Sequence, residues 1–264
     1  MRIDFHTYIG HWPFRQLREN TPNGLIGYMK RFGFDQAVVA NINGVFYKNT
    51  QPANEELAEA IKPFPGRFIP YAVINPSYPD WEYDLEICHT KLGMKGLRLY
   101  PQYHDYKLTD PRLAKLLERA RDLNLPVAFS RWLVDDRQQS WMDIGGQLTL
   151  DSLVPMLKDN PGTFVLLNTN LAPLKPEYLE GLRNVDVYFD TVYASACLPT
   201  TSGYDLLRLI KEFGADRFLF GSAYPFRDPI SALIRLEVLK ELDAATRDAI
   251  WSGNAQRLIN RRSG

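Results

Sequence analysis

The sequence predicts an α/β fold of the (β/α)8 TIM-barrel type, formed as a single domain over residues 1–264 with an extra helix at the carboxyl end. Short runs rich in Val, Ile, Leu and Phe recur eight times, and amphipathic stretches lie between them. Dividing 264 residues by eight units gives 33 residues per unit, close to the size of one strand-and-helix module. No linker, charge run or low-complexity segment marks a domain boundary.

The eight apolar runs are short and nearly continuous, as is typical of parallel strands covered by helices on both faces. Strands are therefore predicted at Arg2–His6, Gln36–Asn41, Phe68–Ile74, Gly96–Tyr100, Pro126–Ser130, Phe164–Asn168, Val187–Asp190 and Phe218–Ser222. The long polar stretches Asn41–Gln51 and Trp132–Gly146 follow strands two and five. In a barrel such loops lie at the carboxyl-terminal face, where function usually resides.

Helices are predicted between the strands from their capping residues. Asp110 precedes Pro111, so that an N-cap is followed by proline at the first helical position, and Asp228 with Pro229 repeats this arrangement. The remaining helices have weaker start signals, near Asp80, Asp151, Pro176–Leu182 and Ser202. A final helix, Ala244–Trp251, is predicted beyond the eighth unit and outside the barrel.

A doubly wound open sheet also alternates strands and helices, and it is the main alternative fold. Such a sheet usually places a glycine-rich phosphate-binding turn after its first strand. Residues 6–10, HTYIG, occupy that position here and lack the glycines that the turn needs. The barrel is therefore the favoured fold.

Composition narrows the classes of partner. The 31 basic and 31 acidic residues cancel, so that nothing in the charge favours nucleic acid or an anionic membrane. The two cysteines, Cys88 and Cys197, cannot form a disulfide framework, which fits a reducing cytoplasm. The chain shows no signal peptide and no apolar run of the roughly 18 residues that span a membrane. A cytoplasmic protein is expected, with a small-molecule ligand; a homo-oligomer is left open.

Five collinear segments resemble one known family. They are Ile3–Gly10 (IDFHTYIG), Gly96–Pro101 (GLRLYP), Leu125–Phe129 (LPVAF), Asp216–Phe226 (DRFLFGSAYPF) and Gly253–Leu258 (GNAQRL). In these motifs the chain resembles the amidohydrolase superfamily, in particular its amidohydrolase-2 branch of metal-dependent hydrolases and decarboxylases. The resemblance extends from residue 3 to residue 258 and implies a TIM barrel with its site at the strand ends.

The resemblance also shows which metal ligands differ. The family binds its metal through two histidines that end strand one, histidines on strands five and six, and an aspartate on strand eight. In this chain His6 retains the first position, whereas Tyr8, Ser130, Asn168 and Ala223 occupy the other four. Two hydroxyls and an amide are uncharged at neutral pH, and alanine cannot accept a proton. The sequence therefore predicts no metal cofactor and no metal-activated water.

Arginine and aromatic side chains remain at the predicted mouth. Arg98 and Arg131 can each offer a fork of donors to a carboxylate or phosphate, although an ion pair with Asp190 is the alternative role. The predicted ligand-binding residues are Tyr8, Arg98, Tyr100, Ser130, Arg131, Asn168 and Asp190. Further walls are expected from Tyr103, Trp132 and Asn170. This set suits a small anionic or polyhydroxylated molecule.

Candidates for acid–base catalysis are few. His6 is the one predicted catalytic residue, as a general base acting without a metal, and it needs an orienting acid from another strand. The remaining histidines, a carboxylate pair and a loop cysteine are interpreted as surface or packing residues: His11, His89, His104, Asp135, Asp136 and Cys197.

Three functional hypotheses follow, in order of preference. The first is an amidohydrolase-like barrel that lacks most metal ligands and binds a small molecule without catalysis. The second is a metal-independent hydrolase or lactonase that acts on a carboxylated small molecule, with His6 as the base. The third is an ordinary metallohydrolase or decarboxylase.

Overall fold

The computed structural model describes residues 1–134, 138–168, 175–192 and 203–261, and it confirms the predicted barrel. All eight predicted strand positions carry strands, and the third is divided in two. The strands are β1 (Ile3–Ile9), β2 (Gln36–Asn41), β3 (Phe68–Pro70), β4 (Ala72–Val73), β5 (Leu97–Leu99), β6 (Val127–Ser130), β7 (Phe164–Leu167), β8 (Val187–Asp190) and β9 (Phe218–Leu219). Five residues discussed above lie outside the described residues: Asp135, Asp136, Asn170, Cys197 and Ser202.

The strands pair in parallel in sequence order, in one sheet from β1 to β3 and another from β4 to β9. Between β3 and β4, the backbone N–H of Tyr71 donates to the carbonyl of Val39 in β2 at 2.9 Å. The third strand therefore stays bonded to β2 between its two segments. The last strand region returns to the first, where the N–H of Tyr8 donates to the carbonyl of Tyr224 at 2.9 Å. These contacts close the barrel.

Helices follow the strands and cover the outside of the barrel. They are α1 (Pro22–Phe32), α2 (Gln51–Ile61), α3 (Trp81–Thr90), α4 (Pro101–His104), α5 (Pro111–Asp122), α6 (Leu150–Asp159), α7 (Pro176–Arg183), α8 (Gly203–Phe213), α9 (Ile230–Val238), α10 (Ala244–Asp248) and α11 (Asn254–Ile259). None of the helices among the described residues is both long and apolar enough to cross a membrane.

The predicted capping residues have different outcomes. Asp110 accepts a hydrogen bond from the N–H of Arg112 at the start of α5, and Asp228 accepts one from the N–H of Ile230 at the start of α9. Asp80 precedes α3 as predicted, but its φ of 62° is left-handed and its side chain makes no capping bond. The position of that helix was therefore predicted correctly, without its capping interaction.

The carboxyl-terminal region extends beyond the predicted helix Ala244–Trp251. Helix α10 continues through a π-helical turn, Ala249–Gly253, into α11. Ala255 and Leu258 of α11 are buried with Phe5 and other residues of the barrel interior. The final helix therefore covers the interior at the end opposite the mouth, instead of lying apart from the barrel.

Candidate active site

Strand β1 carries an irregularity that determines where its polar side chains point. Its register with β2 shifts between Asp4 and Thr7, so that β1 has one more residue than its partner over this stretch. Such a bulge interrupts the alternation of side chains between the two faces of a strand. Phe5 packs against Tyr71 in the barrel interior at a ring distance of 5.6 Å, while Asp4 contacts helix α1 on the outside. The polar residues of β1 therefore serve both sides of the barrel wall.

A chain of four buried polar side chains crosses the interior near the mouth. Nδ1 of His6 lies 2.5 Å from Oδ2 of Asp190, and Nε2 lies 2.7 Å from the hydroxyl of Tyr8. The Tyr8 hydroxyl in turn lies 3.3 Å from Oγ of Ser130. These residues come from β1, β6 and β8. Asp190, His6, Tyr8 and Ser130 are called the His6 relay below.

Burial determines the protonation state of the relay. Desolvation lowers the pKa of His6 to about 4, despite the opposing hydrogen bond and charge of Asp190, and the charges of Arg98 and Arg227 lower it further. At neutral pH the imidazole is therefore uncharged. Its Nδ1–H donates to Asp190, which leaves Nε2 to accept the proton of the Tyr8 hydroxyl. Burial also raises the pKa of Tyr8, so that this hydroxyl stays protonated.

Backbone groups hold Asp190 in position. The N–H of Asn168 donates to both carboxylate oxygens of Asp190, at 3.1 and 3.2 Å, and Nδ2 of Asn168 donates to the carbonyl of Trp132 at 2.8 Å. Asn168 has a left-handed φ of 54°, which asparagine tolerates better than most residues. Its buried Oδ1 has no hydrogen-bond partner among the described residues. This atom is therefore an acceptor available next to the relay.

Gly221 allows His6 and Asp190 to approach each other. A Cβ at position 221 would lie 2.9 Å from Cβ of His6 and 3.1 Å from Cβ of Asp190. Any larger residue would force these side chains to move. The glycine of the FLFGS segment is thus required by the relay.

The two arginines predicted to bind an anion have backbone partners. Arg98 is fully buried and donates to the carbonyls of Phe5, Thr7 and Val38 at 2.9–3.2 Å. Arg131 donates through Nε to the carbonyl of Leu148 at 2.7 Å. Their predicted ligand-binding role stays a prediction.

The alternative role for these arginines, an ion pair with Asp190, is not what the described contacts show. Asp190 bonds to His6 and to the backbone of Asn168. Arg98 instead lies over the ring of Tyr8, at 4.7 Å from its centroid, and thereby supports the relay from the side.

Aromatic side chains surround the Tyr8 end of the relay. The ring of Phe226 lies 5.1 Å from that of Tyr8 and 5.0 Å from that of Trp12, both in edge-to-face contact. Tyr100 is fully buried, and burial, followed by the neighbouring Tyr8 hydroxyl, raises its pKa well above the ordinary value. Tyr103 contacts Trp12 at 6.3 Å. Of the predicted aromatic residues, Tyr100 therefore lies beside Tyr8 and Tyr103 lies against Trp12, and their role in ligand binding stays a prediction.

The remaining histidines lie away from the relay. His11 is exposed, and His89 is half-buried on α3 as predicted. His104 is buried, contrary to its interpretation as a surface-loop residue, because Nε2 donates to the carbonyl of Gly44 at 2.9 Å. Burial lowers the pKa of His104 to about 4.

A second buried polar cluster lies on the outer face of β1, and the sequence analysis assigned it no role. The Asp4 carboxylate accepts hydrogen bonds from the hydroxyls of Tyr28 and Ser222, both at 2.5 Å, and from the N–H groups of His6 and Ser222. Burial raises the pKa of Asp4 to about 6 despite these donors. Asp4, Tyr28 and Ser222 are called the Asp4 cluster below. The aspartate inside the IDFH motif was the available signal for it.

Solved structures of similar fold include enzymes. A TIM-barrel protein from Bordetella bronchiseptica aligns at a TM-score of 0.73 with 20% identity, covering 98% of each chain. A 2,6-dihydroxybenzoate decarboxylase from Rhizobium aligns at 0.73 with 15% identity and 98% of each chain. A dihydroxybenzoic acid decarboxylase from Polaromonas sp. JS666, with bound manganese and the inhibitor 2-nitroresorcinol, aligns at 0.74 with 18% identity, covering 99% of this chain and 98% of that one. At these identities the likeness shows the fold.

The prediction of no metal cofactor is wrong, because the Polaromonas decarboxylase of similar fold holds manganese. The prediction considered only the substituted positions Tyr8, Ser130, Asn168 and Ala223, and it took no account of what barrels of this fold contain. Manganese is therefore bound by at least one protein of similar fold.

The described residues of this chain supply few of the side chains that bind a divalent metal ion. A catalytic divalent metal usually takes about three imidazole, carboxylate or thiolate ligands from the protein. Within the described parts of the chain, no group of three or more His, Cys, Asp or Glu could hold one. His6 and Asp190 are two such donors, and Nδ1 of His6 already donates to Asp190. This donor set fits a metal ion poorly, and the chemistry derived for the site uses the chain's own residues.

The family is shown by the sequence itself. A search of curated proteins found no significant match. The amidohydrolase family (Amidohydro_2), in contrast, matches residues 3–261, nearly the whole chain, as the resemblance in the five motifs predicted. The chain therefore belongs to the amidohydrolase family.

Proposed function

We propose that this chain hydrolyses an activated ester or lactone of a small carboxylated molecule at the mouth of the barrel, with His6 as the general base. The observation that carries this proposal is the His6 relay. A histidine base needs a neutral ring, a fixed tautomer and an acid that orients it. Asp190 is that acid, and it is the partner that the sequence alone did not assign.

The relay suggests how the proton moves. Attack on a carbonyl requires that the attacking hydroxyl lose its proton. The hydroxyl is that of a water beside Ser130 or of Ser130 itself, in which case a water then hydrolyses the acyl-Ser130 ester by the same proton path. Tyr8 accepts this proton as its own passes to Nε2 of His6, and Asp190 stabilises the resulting imidazolium. The same path returns the proton to the alkoxide that leaves when the ester C–O bond breaks. Because Tyr8 gives and receives a proton together, its raised pKa is no obstacle.

An activated ester or lactone suits this site better than an amide. Such carbonyls need less electrophilic assistance, and alkoxides leave more readily than amines. Within the relay, the hydroxyls of Ser130 and Tyr8 are neutral, so that they can supply only moderate assistance to the carbonyl. The substrate class is therefore the one that the available groups can handle.

The first test compares turnover in matched variants. Purified wild type, His6→Ala and a control, His89→Ala on α3, are assayed with 5-oxotetrahydrofuran-2-carboxylate, a carboxylated lactone, with and without added Mn²⁺. Removal of a general base is expected to lower kcat/KM by about 10²–10⁴-fold, whereas the control keeps the wild-type rate. Equal rates in wild type and His6→Ala would remove His6 from the mechanism.

Ligand binding without turnover is a second candidate function, favoured by the burial of the relay under aromatic side chains. His6, Tyr8 and Ser130 are each fully buried. For this candidate, calorimetry would detect the carboxylated lactone binding while no product forms under any metal condition.

The same preparations are offered 2,6-dihydroxybenzoate, because two proteins of similar fold are decarboxylases of dihydroxybenzoic acids. Release of CO2 would replace hydrolysis with decarboxylation as the activity.

A further inference from the structure

A pocket of about 700 Å³ opens at the edge of the mouth, between the segment that follows β1 and the segment that follows β9. Four arginines line it: Arg15, Arg18, Arg31 and Arg227. Its volume suits a small organic molecule. The sequence analysis did not single out these residues, although Arg15 and Arg227 follow shortly after the ends of barrel strands, where ligand-binding residues are expected.

The acidic residues of this rim pocket are already engaged. Glu19 accepts hydrogen bonds from Nη2 of Arg31 at 2.6 Å and from the hydroxyl of Tyr224. Asp228 is exposed and accepts the N–H of Ile230 at the start of α9. Among the described residues that line it, the pocket therefore has an excess of positive charge, because two carboxylates lie with four guanidinium groups.

Arg15 lacks a charged partner in its hydrogen bonds. Nη1 donates to the side-chain amide oxygen of Gln138 at 2.5 Å, and Nη2 donates to the carbonyl of Phe226 at 2.8 Å. Its Nε is buried and has no hydrogen-bond partner in the described part of the chain. Arg227 directly follows Phe226, whose carbonyl binds Arg15, so that both arginines lie at the same end of the pocket. Burial, and then the charge of Arg227, lower the pKa of Arg15.

Two neighbouring cations at the edge of a pocket are stabilised by an anion between them. The planar donor fork of arginine matches the geometry of a carboxylate. Phe226 lines the pocket and its ring lies 5.1 Å from that of Tyr8, so that this end of the pocket adjoins the relay. An acid group held here would lie beside the reacting groups without occupying them.

We propose that Arg15 and Arg227 form a carboxylate-binding subsite that holds the acid group of the substrate while its reacting carbonyl faces the His6 relay. This inference rests on the proposed function and specifies which residues recognise the substrate. It assigns substrate recognition to the rim pocket and leaves proton transfer to the relay.

The binding test uses a probe that the relay cannot hydrolyse. Isophthalate, with two carboxylates, is titrated by calorimetry into wild type, Arg15→Gln, Arg227→Gln and a control, Arg119→Gln on the exposed surface of α5. Loss of a charge-assisted hydrogen bond is expected to weaken binding by about 10- to 100-fold in the two pocket variants and not in the control. Benzamide, which has no charge, is expected to distinguish none of the four proteins.

A second measurement separates this inference from the proposed function. Arg15→Lys, which keeps the charge and loses the fork, guards against misfolding and is expected to bind isophthalate between wild type and Arg15→Gln. With the carboxylated lactone, Arg15→Gln is expected to raise KM at unchanged kcat, whereas His6→Ala lowers kcat. Equal isophthalate affinity in wild type and both pocket variants would overturn the subsite even if turnover depends on His6. Inorganic phosphate that binds more tightly than isophthalate would overturn its assignment to carboxylates.

Discussion

Asp4 and His6 are two residues apart on β1, and both are fully buried, yet their surroundings differ in kind. The Asp4 carboxylate is surrounded by four donors from the protein, which converge on its two oxygens. His6 belongs to a linear chain of hydrogen bonds that ends at the hydroxyl of Ser130. Beside this chain lies Oδ1 of Asn168, which has no hydrogen-bond partner among the described residues. A group whose hydrogen-bonding capacity is filled by the protein stabilises the fold. A chain with an open end is where a substrate can take part.

The two sites also differ in the form that burial favours. Burial keeps the imidazole of His6 neutral and pushes the carboxyl of Asp4 toward its neutral form, so that the pKa values shift in opposite directions. Only the first shift suits the proposed general base, because such a base must be unprotonated at the working pH. The second is a cost of placing a carboxyl between β1 and α1.

The strongest challenge to this comparison is the removal of the Asp4 carboxylate. Asp4→Ala leaves the hydroxyls of Tyr28 and Ser222 and two N–H groups without their acceptor, and it is expected to lower the free energy of unfolding by about 3–5 kcal/mol. Guanidinium denaturation measures this loss. Tyr28→Phe, which removes one donor, serves as the control and is expected to lose about 1 kcal/mol. A loss in Asp4→Ala no larger than in Tyr28→Phe would show that the cluster does not act as a unit.

The pH dependence of stability should separate the two sites by sign. The pKa of His6 falls from 6.5 to about 4 on folding, so its contribution is lost as the pH drops from 6.5 toward 4, where the unfolded chain binds the extra proton. The pKa of Asp4 rises from 3.8 to about 6, so its contribution is lost as the pH rises through that range. Each amounts to ~3 kcal/mol.

Because these contributions oppose each other, variants that remove one group should reveal the other. Urea unfolding of Asp4→Asn is expected to show stability that rises more steeply with pH between 4 and 6.5 than that of the wild type. His6→Gln is expected to show the opposite change in slope. If both variants gave the wild-type slope, neither shift would exist in the folded protein.

A smaller effect on stability than that of Asp4→Ala is expected at Tyr8, inside the relay. Tyr8→Phe keeps the contacts with Phe226 and Arg98 but removes the hydroxyl that donates to Nε2 of His6, so that about 1–2 kcal/mol of unfolding free energy is lost. Turnover of the carboxylated lactone should fall at least as far as in His6→Ala, since the proton path is interrupted. Stability falling as in Asp4→Ala would instead make Tyr8 a structural residue.

Periodicity predicted most of the fold because each strand and helix is a local pattern. The eight strand positions and the cap of Asp110 needed only neighbouring residues. The division of the third strand at Tyr71 and the covering of the interior by α11 depend on contacts between distant segments. Such contacts leave no local signal.

The candidate site was predicted in its members and not in its connections. Tyr8, Ser130 and Asn168 were named because they occupy metal-ligand positions of the resembled family, and Asp190 because it ends a strand. All four lie together with His6. The pairing of His6 with Asp190 was not predicted, because residues 184 positions apart meet only when the barrel closes. Arg15 and Arg227 were not singled out from the sequence, because they come together only at the rim pocket of the folded chain.

The extra residue in β1 allows one strand to place polar side chains on both faces of the barrel wall. Asp4 fastens the outer face, and the His6 imidazole is positioned on the inner face a short distance along the same strand. Any protein engineered from this barrel has to preserve that offset. Insertion or deletion of a single residue between Asp4 and Thr7 would exchange inside for outside along the rest of the strand, and the Tyr8 hydroxyl would end among the helices.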